Sequence, residues 1–129
     1  MPAYDVHLFH PPAPLAQVQL RIPNTTIAIS DVPMLIDSGA DVTLVPRQSV
    51  TLLGAIIDPD THYEVMGFDG HKSAVQVVTL DLSFLSRIFK GRFLITDQEC
   101  GVLGRDVLNH VARLLNGPRL NWDEAPTGK

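Results

Sequence analysis

Apolar and polar positions alternate along this chain in short runs, broken by proline and glycine. Val18, Leu20 and Ile22 fall on one side and Gln17, Gln19 and Arg21 on the other, so residues 15–22 read as a half-buried strand. Pro23-Asn24 is a turn by composition, and Thr25 to Ser30 makes a second strand. Asp31-Val32-Pro33 is expected to turn the chain into Met34-Leu35-Ile36, an apolar strand that ends at Asp37. Thr43 to Pro46 continues as another strand, and Arg47 to Leu53 reads as a short helical turn ended by Gly54.

Farther along, Tyr63 to Met66 and His71 to Leu82 are alternating strands around Gly67-Phe68-Asp69-Gly70, a β-hairpin pattern. Arg92 to Thr96 is a strand, and Val102-Leu103-Gly104 is a short buried segment. Arg105 to His110 is the best helix candidate, with Asp106 near its start, where a carboxylate is favoured. Val111 to Leu115 and Leu120 to Trp122, joined by Asn116-Gly117-Pro118-Arg119, form a last hairpin. His10-Pro11-Pro12-Ala13-Pro14 resists regular structure, so residues 1–14 are expected to be irregular. The division is therefore 1–14 irregular, 15–122 one all-β domain and 123–129 a polar tail, with no internal repeat.

Composition narrows the function classes. The 129 residues suit one domain, and 45% hydrophobic with 19% charged residues suffices for a core. Ten prolines and nine glycines punctuate short strands, as in all-β proteins. A net charge of −4 without a basic stripe argues against nucleic acid as partner. No long uncharged apolar run suggests a membrane span, and the N-terminal residues lack a secretory pattern, so a cytoplasmic location is expected. Cys100 is the single cysteine, which excludes an intramolecular disulfide and makes a reducing compartment the simpler assumption, with an intermolecular bridge or a free thiol left open. His7, His10, His62, His71 and His110 have no metal-ligand spacing, so neither metal nor cofactor is expected. Trp122 reads as a packing or interface anchor.

The chemistry concentrates in Leu35-Ile36-Asp37-Ser38-Gly39-Ala40-Asp41. One carboxylate closes an apolar run and is followed by a hydroxyl and a glycine. Two carboxyl groups about 3 Å apart cannot both ionise and share a proton, so together they can deprotonate a water and protonate a carbonyl. The chain holds a single copy of this pattern, so if it is one half of such a pair, the chemistry requires two chains with Asp37 of each on the two-fold axis. Ser38 can bond across such a dimer, Gly39 lets backbone approach the carboxylate, and Ala40 leaves room for substrate.

A second pattern, Gly101-Val102-Leu103-Gly104-Arg105-Asp106, pairs an apolar strand with a Gly-Arg-Asp helix start. With both motifs in this order around a glycine-bearing hairpin, the chain resembles the retropepsin-like, single-domain aspartic peptidases over about residues 15–122. The resemblance implies a closed β-barrel with one short C-terminal helix, a homodimer, and hydrolysis of an extended polypeptide substrate. It implies that Asp37 is catalytic and that Ser38, Gly39 and Ala40 support the active-site loop. Gly39 and Asp41 would bind substrate main chain, Asp41 would pair with Arg105, and Gly67, Phe68, Asp69 and Gly70 would form the flap tip. Ser38 stands where the family often has Thr, and the Gly-Pro hairpin replaces the short terminal strand of the best-known viral members. Two other readings use the same residues: a catalytically silent peptide-binding or dimerisation module, and a domain cut from a longer protein and dimerised by an adjoining segment.

Overall fold

The computed structural model describes residues 2–66 and 72–125. The strands are β1 (Tyr4–Asp5), β2 (Ala13–Arg21), β3 (Ala28–Ile36), β4 (Leu44–Pro46), β5 (Ile57–Met66), β6 (Lys72–Phe84), β7 (Arg87–Thr96), β8 (Gly101–Leu103), β9 (Arg113–Asn116) and β10 (Asn121–Glu124). Two short helices, α1 (Arg47–Leu53) and α2 (Arg105–Leu108), follow β4 and β8.

Six strands in the order β2-β3-β8-β4-β7-β6 close into a barrel, because β6 also pairs with β2. The closing ladder matches Gln19 with Ser83, Leu20 with Leu82 and Arg21 with Asp81. Period-two alternation fills the interior: Val18 and Leu20, Val32, Met34 and Ile36, and Val78, Leu80 and Leu82 are all buried. Closure removes most free sheet edges and gives a small chain one continuous core.

Several boundaries differ from expectation. Asp31-Val32-Pro33 does not turn the chain: residues 28–36 form one strand. Its pairing with β2 jumps from Val18–Val32 to Leu20–Ile29, so Ser30 and Asp31 bulge opposite Gln19. Asp31 takes φ 59°, a left-handed value that Asp tolerates better than most residues. The bend read from sequence is thus absorbed inside a strand. β7 starts at Arg87 instead of Arg92, through a two-residue turn in which Leu85 and Ser86 both have positive φ. Helix α2 ends at Leu108 and not at His110; the turn beyond it is held by Asn109 N donating to Arg105 O and His110 N to Val107 O. Helix α1 spans residues 47–53 and ends at Gly54 in the left-handed conformation.

The first residues hold more order than their prolines suggest. β1 pairs with Ala13 and Pro14 of β2, and Ala3 bridges to Asn121. Trp122, 2% exposed, anchors the β9–β10 hairpin to the barrel: its Nε1 donates to Leu15 O at 2.8 Å, and its ring lies 5.9 Å from that of Phe84.

Candidate active site

Parallel pairing of β3 with β8 creates the site. Met34, Leu35 and Ile36 lie beside Gly101, Val102 and Leu103, so the chain leaves both strands at the same end of the barrel. There the loop from Asp37 to Thr43 meets the start of α2. Because β4 lies on the other side of β8, that loop must cross over the end of β8. The crossing is tight. A Cβ on Gly104 would sit 2.5 Å from the carbonyl carbon and oxygen of Val42, so only glycine fits.

Backbone hydrogen bonds pin the crossing. Asp37 N donates to Leu103 O at 3.1 Å, Ala40 N to Asp37 O at 3.1 Å, and Arg105 N to Ala40 O at 2.9 Å. Gly39 N donates to Asp37 Oδ1 at 2.9 Å, which fixes the carboxylate plane. Asp37 Oδ2 has no donor among the described residues. Asp37 is half-buried, whereas Ser38, Gly39, Asp41 and Val42 are exposed.

Arg105 ties the loop from the helix side. Its guanidinium donates to Ser38 O at 2.7 Å through NH1 and to Asp41 Oδ1 through NH2. One planar fork thus holds two points of the loop, an arrangement that an ammonium cannot copy.

Beneath it is a network that sequence reasoning missed. Thr43, 1% exposed, donates its hydroxyl to Asp106 Oδ1 at 2.6 Å and accepts from Gly104 N at 3.1 Å. Thr43 N donates to Asp106 Oδ2 at 3.1 Å. Asp106 therefore clamps the far end of the loop and is more than a helix-start carboxylate. A hydroxyl residue entering an apolar strand, with a carboxylate next to the Gly-Arg pair, was the available signal.

A pocket of about 260 Å³ opens against β3 and β8, lined by Leu8, Phe9, Leu35, Cys100 and Val102 among others. Leu35 and Val102 are register partners whose side chains point away from the core, opposite to buried Ile36 and Leu103. Leu35, in the wall of this pocket, stands two residues before Asp37, on the strand that leads to it. Leu8 and Phe9, an apolar pair inside the supposedly irregular segment, complete the wall. Burial pushes the Cys100 thiol up to about 11, helped by the nearby charges of Asp5 and Glu99 and opposed by a hydrogen bond to the Leu35 backbone.

The hairpin expected to carry a flap is described only in its two strands. β5 and β6 pair from Ile57–Val78 out to Met66–Lys72, with an irregularity between Asp58 and His62. Gly67, Phe68, Asp69 and Gly70 lie outside the described residues. No cluster of His, Cys, Asp and Glu among the described residues could hold a metal. No helix among them is long and apolar enough to cross a membrane.

Comparison with solved structures bears on the architecture. The EIAV protease complexed with the inhibitor HBY-793 superposes with a TM-score of 0.57, at 21% sequence identity, over 76% of this chain and 86% of that one. The chain has a retropepsin-like fold. At that identity the likeness concerns architecture alone. No protein-family model matches the sequence. No curated protein matches it either.

Proposed function

We propose that this retropepsin-like chain is an aspartic endopeptidase that works as a homodimer, with Asp37 of each subunit forming the catalytic pair. The observation that carries this reading is the state of Asp37: one oxygen fixed by Gly39 N, the other without a donor among the described residues, on a loop locked by Arg105. The exposed Ser38, Gly39, Asp41 and Val42 around it are the surface a second copy would cover, and Ser38 supplies the hydroxyl for a bond across the axis.

In that dimer the two carboxyl groups share one proton and hold a water between them. An extended peptide lies across the cleft with its main chain against Gly39 and Asp41, and a side chain in the apolar pocket beside Leu35 and Val102. The β5–β6 hairpin closes over it, with residues 67–70 at its tip, and excludes other water. One carboxylate takes a proton from the water as the other protonates the peptide carbonyl oxygen. The resulting diol collapses when a carboxyl proton passes to the leaving nitrogen and the C–N bond breaks. Residues 15–122 form the peptidase domain, and the lone unpaired thiol suits a reducing compartment such as the cytoplasm.

The test is digestion of a complex peptide mixture, read by mass spectrometry, with wild type and Asp37→Asn run side by side at concentrations where both are dimeric. Cleavage by wild type alone, with apolar residues next to the cut, supports the reading. Peptide binding without cleavage by either protein would replace it with a silent binding module.

A further inference from the structure

The outer edge of β7 provides a second binding surface. β4 covers that edge only from Leu94 to Thr96. From Arg87 to Phe93 the strand pairs with β6 alone. Strand backbone groups point alternately to either side, so about half of those in this stretch face an edge with no ladder partner among the described residues. A groove of about 660 Å³ runs along it, lined by every residue from Arg87 to Phe93 and walled by Asp106, Val107 and His110. Residues of both strand faces line the groove, which therefore follows the edge and not one face. The Phe89 and His110 rings, 6.1 Å apart, both line it.

The charge is the reverse of the chain's own. Net charge is −4, yet Arg87, Lys90 and Arg92 stand exposed on this edge. Asp106 in the wall already spends both oxygens on Thr43, and Asp81, cross-strand from Lys90, is 9% exposed. Two copies of this edge could not pair without bringing these cations together, which argues against self-association here.

We propose that the groove docks an extended acidic segment of another polypeptide, which adds to β7 as a further strand. Lys90 and Arg92 share the outward face with Ile88, which is 62% exposed. A strand laid in register would match the two cations with acids at alternate positions. Main-chain hydrogen bonds hold the segment, and the charge pattern selects it. The groove lies on different elements from Asp37, so docking does not depend on catalysis.

The probe is a fluorescent peptide alternating Glu and Thr, compared with an isomer of the same composition whose glutamates are consecutive. Asp37→Asn protein is used so that no peptide is cut. Expected are saturable anisotropy changes, preference for the alternating isomer, and amide shifts on NMR spectra at residues 87–93. Lys90→Glu combined with Arg92→Glu, its fold checked by circular dichroism, should weaken binding about tenfold or more. Shifts confined to residues 35–41 and 98–102, no binding at low salt, or tighter binding of a single-stranded oligonucleotide would each overturn the proposal. The amide map is made on protein with an intact groove, so it decides even where the charge reversal fails to fold.

Discussion

Thr43→Val isolates the clamp under the candidate active-site loop. Valine has nearly the volume of threonine, so the change leaves no cavity at this 1%-exposed site. It removes the 2.6 Å hydrogen bond to the Asp106 carboxylate, and a bond to a charged group contributes about 1.5–3 kcal/mol. It also strands Gly104 N, whose partner was the same hydroxyl, at a desolvation cost of about 1–3 kcal/mol. The two effects share one oxygen and do not add fully, so the expected loss is about 3 kcal/mol. For 129 residues the unfolding entropy is about 0.27 kcal/mol/K, which makes the shift in Tm about 11 °C. Thr43→Ser keeps the hydroxyl and loses one methyl, for about 1 kcal/mol. The assay is urea unfolding followed by the fluorescence of Trp122, at one fixed protein concentration because the proposed homodimer would link stability to concentration. A Thr43→Val midpoint matching wild type, or an equal loss for Thr43→Ser, would refute the reasoning.

Arg105→Lys should separate positioning from stability. The pair with Asp41 is exposed and worth under about 1 kcal/mol, but lysine cannot hold Ser38 O and Asp41 together, so kcat/KM should fall by about tenfold or more while the urea midpoint barely moves. Gly101→Ala should cost about 3 kcal/mol or prevent folding, because the new Cβ would collide with Met34 Sδ and Leu44 O; calorimetry reads this directly. Cys100 should react slowly with iodoacetamide at neutral pH, since its thiol is pushed up to about 11. A raised folded-state value means that the thiol's contribution to stability is complete below the ordinary range near 9.0 and is lost as pH rises toward 11. Alkylation across that range, in native and denatured protein, gives both limits.

What the residues disclose without a structure depends on how local the cause is. Asp37 at the end of an apolar run, the Gly104-Arg105 pair and the last hairpin are written in short strings; the first two lie where their strings place them, and the hairpin forms one or two residues later, as Arg113–Asn116 and Asn121–Glu124. Features set by partners distant in sequence stayed hidden. The bulge at Asp31 sits opposite Gln19, where β2 begins to pair with β6 as well, a long-range pairing that composition cannot reveal. The turn at Leu85 and Ser86 lacks the Asn-Gly or Asp-Gly pair that usually marks positive φ, and Leu85 packs against the core instead. Thr43 and Asp106 are far apart in the chain and meet only because the loop crosses β8. Leu8 and Phe9 become pocket walls only once the first residues fold back along β2. Gly67 to Gly70 lie outside the described residues, so the flap tip rests on the motif alone.

Subunit mixing tests the central claim most directly. Wild-type protein is equilibrated with increasing Asp37→Asn protein at constant total concentration, and cleavage of a peptide found as substrate is followed. A catalytic pair built from two chains predicts activity falling as the square of the wild-type fraction, because only wild-type pairs carry both carboxylates. Activity proportional to the wild-type fraction, with subunits shown to exchange, would mean that one Asp37 suffices and would contradict the account.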